Sequence, residues 1–385
     1  MKIAFVGTSN VQKHADLKRA LGMTNKLIEA GSEVVLVIED HEANSSAVAN
    51  LDPRVEVRYY KRRGPFAERL QKRRLLRSMA PDVAIYAGTS WRNLPFKGDA
   101  EDWTIVTDHT EIRGSFRDSS FIRRRFEDWV ESRFVSRSHG SIGVSDYLCE
   151  YLQAKGANDV HYSPFATDAV ESEVANESEE GSPQAILYVG TLLREYGAVE
   201  LVEAMALLQG DLPGARMVLA GDGRDRELVV AAIERLGLSD VISLPGFVSG
   251  DELASLMATA DAFVCPLENS VRDWARCPGK LYLYASYGAP MVTAPVGEAL
   301  RFADRAVYYE TSSPEALASA IETALGLSRP GVPEDDSYVY WDSWVPPLLD
   351  WMHMLTDGPQ HLASLRSQSA PVEDSTVTWA GAHAA

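Results

Sequence analysis

Short apolar runs alternate with amphipathic helical stretches along almost the whole 385-residue chain, and this alternation limits the fold more than any other feature. In the first half the strand-like runs are Ile3–Val6, Val34–Ile38, Val55–Tyr59, Val83–Tyr86, Thr104–Val106 and Gly140–Val144. Between the first two lies Ala15–Ala30, with apolar residues at helical spacing and a stop at Gly31. Strands alternating with helices imply βαβ units and a parallel sheet covered on both faces. An acidic, small-residue run, 171–183, then reads as an interdomain linker between domains 1–170 and 184–330.

The pattern restarts with strands at Ala185–Val189, Arg216–Ala220, Val241–Leu244, Ala262–Cys265 and Met291–Thr293. Helices are expected over Val199–Leu208, Glu227–Leu236, Asp251–Thr259 and Lys280–Tyr287. The fold class is therefore α/β, with two doubly wound Rossmann-like domains facing a cleft. Ligands of such sheets sit beyond the carboxyl ends of the strands. Residues 336–357 hold Trp341, Trp344 and Trp351 in an amphipathic stretch expected to be helical after Pro347 and to return to the first domain; 358–385 reads as a flexible tail.

Charge narrows the function. A net charge of −18 excludes a surface that is one continuous nucleic-acid footprint. Nine Lys against 28 Arg, facing 55 acids, resembles the cytoplasmic proteins of salt-loving archaea; a GC-rich genome is the plainer explanation. Cys149, Cys265 and Cys277 make an odd, unclustered set, which points to a reducing compartment without a disulfide framework or zinc site. The opening Met1–Gly7 is a buried strand in this reading rather than a signal peptide, and no run reaches the ~18–20 apolar residues of a membrane span.

Five segments of the second half carry a resemblance. They are Ile186–Gly197, Val218–Gly223, Val241–Val248, Ala260–Pro266 and Pro278–Val292. In order and spacing they resemble the nucleotide-sugar half of GT-B glycosyltransferases, specifically family 4-like enzymes; in the first half the Gly7 strand end, Val106–His109, and Gly143–Ser145 leading to Pro164 and Asp168 do so, more loosely. The resemblance implies a retaining glycosyltransferase, with no cofactor beyond its nucleotide diphosphate sugar donor and no obligatory metal. The sequence itself offers no metal constellation, since Asp222 and Asp225 stand in a glycine turn without supporting ligands.

Glycosyl transfer builds negative charge on a departing diphosphate, so cations and amide donors are needed there. Gly190 and Thr191, leaving a strand, let backbone approach phosphate; Arg194 and Lys280 are the natural charged partners. Gly221 and Asp222 offer a nucleotide contact, and Gly7 and Thr8 a cleft floor. His109, at a strand's carboxyl end, stands where the family positions the donor sugar. The sequence also departs from the family pattern. Thr191 and Tyr196 occupy its usual cation positions, and Ala275 and Leu283 its paired acids; Glu268 or Asp273 are candidate replacements for the sugar contact.

Two segments concentrate positive charge: Arg58–Arg77 has net +8 and Arg113–Arg137 net +3, which leaves −29 on the rest. With aromatic residues interleaved and no nucleic-acid recognition module, they suit docking on an anionic membrane, through Arg62, Arg63, Arg73 and Arg74. The expected activity is sugar transfer to a glycan or lipid-linked acceptor at the cytoplasmic membrane face. The alternatives are a catalytically altered GT-B-like binding protein and a nucleotide-sugar epimerase.

Overall fold

The computed structural model describes residues 1–11, 15–49, 51–115, 120–168, 184–328 and 337–358. The expected linker, 171–183, and the tail beyond Gly358 lie outside the described residues. The first sheet is built from β1 (Lys2–Val6), α1 (Ala15–Glu29), β2 (Glu33–Glu39), α2 (Glu42–Val48), β3 (Glu56–Tyr60), α3 (Pro65–Met79), β4 (Val83–Ala87), β5 (Thr104–His109), α4 (Phe121–Val135), β6 (Gly140–Gly143), α5 (Asp146–Ala154) and β7 (Val160–Tyr162). Its strands run in the order β3-β2-β1-β4-β5-β6-β7, each pair parallel.

The second sheet comes from β8 (Ala185–Val189), α6 (Ala198–Asp211), β9 (Arg216–Ala220), α7 (Arg226–Leu236), β10 (Ile242–Gly246), α8 (Gly250–Thr259), β11 (Ala262–Val264), α9 (Val271–Ala275), α10 (Gly279–Ala285), β12 (Met291–Thr293), β13 (Ala306–Tyr308) and α11 (Pro314–Leu325). The order is β10-β9-β8-β11-β12-β13, again parallel. β1, β2 and β4 are apolar on both faces because helices cover both, as their unbroken burial requires.

The last helix, α12 (Trp341–Thr356), returns to the first sheet and joins its core through Trp341, Val345, Leu348, Trp351, Met352 and Leu355. Two glycines make room for it. A Cβ on Gly22 of α1 would stand 2.5 Å from the Trp341 indole nitrogen, and one on Gly140 would stand 2.5 Å from the Trp351 ring. Trp351 donates its indole N–H to Asp159 (3.0 Å) and stacks on His161. The expected start after Pro347 is corrected: the helix begins at Trp341 and runs through Pro346 and Pro347. Both prolines face solvent, where water can satisfy the carbonyls left without an N–H donor, while Trp341 and Val345 on the opposite side bury their area.

The two domains meet along one side. Ser145, which caps α5 by accepting the Leu148 N–H, also donates its hydroxyl to the Ala275 carbonyl (2.8 Å). Tyr162 and Tyr282 both donate to the buried Glu298 carboxylate (2.8 and 2.9 Å), tying the first domain to the second. Among the described residues no helix is long and apolar enough to cross a membrane.

Candidate functional site

The second domain brings two strand ends into backbone contact. Gly190 ends β8 at φ +150° and Gly221 ends β9 at φ +153°; a Cβ on Gly221 would collide with the Gly190 carbonyl oxygen at 1.8 Å. Only glycine fits there. A Cβ on Gly190 would in turn lie 2.7 Å from Lys280 Nζ, so the lysine, one residue into α10, holds its ammonium directly over this strand end. The Tyr188 ring lies under it at 3.8 Å. Among the described residues no carboxylate comes within ion-pair distance of Lys280. Burial, with the nearby Arg276 charge adding to it, pushes its pKa down to about 8.

Arg276 sits over the Tyr196 ring at 4.3 Å and pairs with Asp273 at 2.6 Å. Tyr196 occupies a place where the family resemblance expects lysine. The aromatic ring thus carries a cation borrowed from another loop. Asp273 is also gripped by Arg272 at 2.9 and 2.7 Å. Burial would raise the Asp273 pKa, but Arg276 and Arg272 together hold it below the usual carboxylate range.

The facing wall comes from the carboxyl ends of β1, β4 and β5. Thr110 donates its hydroxyl to Asp16 (2.7 Å), and a Cβ on Gly88 (φ +84°) would meet the same carboxylate at 2.3 Å. One residue further, the half-buried Glu111 is pushed up to about 7 by burial, against the opposing charges of Arg113 and Arg276. Glu111 and Lys280, of opposite sign and from different domains, thus both lie within electrostatic reach of Arg276. Beside them a cavity of about 440 Å³ opens between residues 112–115, α4 and α5 of the first domain and Ser270 with the start of α9 in the second. Arg124, Asp128, Glu131, Tyr151 and Arg272 contribute polar lining.

The sequence-predicted residues divide by their partners. Gly190, Gly221 and Lys280 come together. Thr191 is exposed and accepts the Tyr188 hydroxyl at its carbonyl (2.8 Å). Arg194 is exposed on the same loop, its backbone N–H held by Asp225 (2.9 Å); Asp222 is exposed and caps its own turn through the Gly223 N–H (2.8 Å). Glu268 and Asp273 are both drawn to Arg272, at 3.8 and 2.7 Å, so the expected sugar contact finds Asp273 already saturated. Gly7 and Thr8 are buried at the end of β1, where the Thr8 carbonyl accepts from Arg62 (2.7 Å). His109 is wholly buried. It lies between the Thr107 hydroxyl (3.0 Å) and Glu131 (3.7 Å), and so belongs to the domain interior rather than the open cleft.

The four expected docking arginines differ in their partners. Arg62 is bound to Thr8, Glu39 and Glu68, and Arg73 pairs with Asp99 at 2.5 Å; only Arg63 and Arg74 are exposed without a carboxylate in reach among the described residues. Sequence reasoning missed Glu111, Arg276 and Glu131. Arg276 stands four residues before Lys280 and Glu111 two after His109, so proximity to residues already singled out was the available signal. Among the described residues no group of three or more His, Cys, Asp or Glu is placed to hold a metal ion.

Residues 183–326 match the family described as "Glycosyl transferases group 1". The second domain is a glycosyl transferases group 1 domain. A glycogen synthase of Mycobacterium tuberculosis is 24% identical over 171 residues, 44% of this chain and 40% of that protein. An uncharacterized glycosyltransferase of Methanocaldococcus jannaschii is 29% identical over 144 residues, 36% of this chain and 35% of that one. The chain thus spans about 35–40% of the length of these curated relatives. Over the whole fold it is similar to Anabaena HepE, solved with UDP and glucose, at TM-score 0.65 and 14% identity, covering 96% of this chain and 100% of that one. The two-domain architecture is GT-B.

Proposed function

We propose that this chain is a glycosyltransferase that moves a sugar from a nucleotide diphosphate sugar to a glycan or lipid-linked acceptor at the membrane face, with retention of configuration. The observation that carries this reading is Lys280. Its ammonium is held over a glycine strand end with no carboxylate in ion-pair reach among the described residues, and its pKa is depressed by burial. Keeping a buried ammonium charged without a counterion is costly unless an anion joins it. A diphosphate is such an anion, and its charge grows as the glycosyl bond breaks. Lys280 therefore compensates the leaving group, Arg276 being already paired with Asp273; Gly190 and Gly221 allow the close backbone approach. The family of the second domain and the UDP seen in the Anabaena structure support a nucleotide donor.

Glu111 supplies what Ala275, Leu283 and the saturated Asp273 do not: an acid facing the cleft, which we assign to a sugar or acceptor hydroxyl. Ala275 is fully buried and Leu283 packs against the core, which favours a second reading, a GT-B-like protein that binds without turnover. A panel of nucleotide sugars tests both. One donor should raise the melting temperature by mass action and be consumed when acceptor is added. Stabilisation without consumption under any acceptor would favour the binding protein; consumption without acceptor would point to an epimerase. A flat panel would remove the donor site.

A further inference from the structure

The first half of α4 is the most exposed apolar surface of the first domain: Ile122 is 81% exposed, Phe121 73%, Phe126 45% and Trp129 41%. Phe121, Arg125, Trp129 and Arg133 follow one another at i, i+4 spacing, with Ile122 and Phe126 alongside, so all six share one stripe of the helix. Arg125 lies over the Phe121 ring at 5.9 Å and Arg133 over Trp129 at 5.4 Å. The helix's acids do not neutralise these arginines. Glu127 is engaged by Arg113 (3.2 Å) and Asp128 by Lys155. On a chain of net charge −18, this stripe has local charge of the opposite sign. The adjoining side of the same helix, through Arg124, Asp128 and Glu131, walls the interdomain cavity.

We propose that this stripe docks on an anionic lipid bilayer, and that the cavity beside it receives the head group of an acceptor anchored there. Aromatic rings flanked by arginine suit the bilayer interface: the rings enter the headgroup region while the guanidinium groups meet lipid phosphate. This places docking on α4 rather than on the expected arginines of the 62–74 segment, where Arg62 is engaged by Glu68 and Arg73 by Asp99. Docking stands on the stripe alone. The identity of the cavity's occupant rests on the glycosyl-transfer reading.

Full-length protein is sedimented with vesicles of phosphatidylcholine alone and of phosphatidylcholine with phosphatidylglycerol in equal parts, at low and high salt. Wild type should partition to the anionic vesicles and lose binding as salt screens the arginines. Ile122→Asp with Phe126→Asp should abolish binding. Arg125→Gln with Arg133→Gln, which leaves the apolar residues in place, should weaken it about 30-fold, from roughly fivefold per cation, and flatten the salt dependence. Arg63→Gln with Arg74→Gln should bind as wild type does. Equal partition to neutral and anionic vesicles, unchanged binding in the Arg125/Arg133 variant, or self-association through this face in place of vesicle binding would overturn the proposal. Nucleotide-sugar stabilisation, read on the same samples, should be the same in every α4 variant. Vesicle binding without any such stabilisation would uphold docking and remove the glycosyl-transfer reading.

Discussion

Two regions carry the positive charge that matters here, and they use it in opposite ways. Along β3 and α3, cations are abundant and mostly consumed. Buried Glu68 alone gathers Lys72 at 3.2 Å, Arg92 at 3.0 Å and Arg62 at 3.4 Å, while Arg69 donates to the Leu94 carbonyl between the Trp91 and Phe96 rings. At the Gly190 strand end, Lys280 meets no carboxylate among the described residues. A charge that is paired contributes to the fold; a charge held in place without a counterion is available to a ligand. Counting cations along the chain ranks these regions the wrong way round.

The sharpest way to break that contrast is at Glu68. Glu68→Gln keeps the shape and leaves three cations without their common partner, one of them, Lys72, nearly fully buried. Removing one member of a buried ion pair typically costs about 3–5 kcal/mol, so urea unfolding should show a loss of that order. A variant as stable as wild type would mean the α3 charges are solvated rather than structural. Next in size is Lys280→Ala. Loss of one preorganised contact to a developing oxyanion costs about 2.7–4 kcal/mol of activation free energy. Turnover should therefore fall by about two orders of magnitude, while the unfolding curve moves far less than in Glu68→Gln, since among the described residues the lysine loses its contact with the Tyr188 ring but no ion pair. The smallest effect is expected from Arg63→Gln and Arg74→Gln, exposed and without a carboxylate in reach among the described residues: within about 0.5 kcal/mol in stability. A larger change would place them in a network of their own.

Most of the fold was legible in the chain because parallel strands buried on both faces are written as unbroken apolar runs ended by glycine or polar residues. β7 (Val160–Tyr162) and β13 (Ala306–Tyr308) escaped. Each is three residues long and only half-buried at a sheet edge, too short for a period to register. The start of α12 escaped because local proline chemistry argued for Pro347, whereas the tertiary burial of Trp341 decided it. Of the site, Gly190, Gly221 and Lys280 were legible through motif order. His109 was legible as a position but not as an environment, since its burial against Glu131 depends on how α4 packs back on the sheet. Glu111 and Arg276 gain their meaning only from each other, across two domains, and no spacing rule relates them.

The proposed role of Lys280 is to bind the donor's diphosphate with an ammonium that meets no carboxylate among the described residues. Its pKa in the free protein, about 8, lies below the ordinary lysine value because burial disfavours the charged form. A bound diphosphate should raise it again, so binding takes up a proton above about pH 8. Calorimetric titration of the wild type with UDP from pH 7 to pH 10 should show affinity nearly constant below about 8 and falling up to about tenfold per pH unit above it, whereas Lys280→Ala should bind weakly and without that fall. Equal affinity of the two proteins, or the same decline in Lys280→Ala, would contradict the claim.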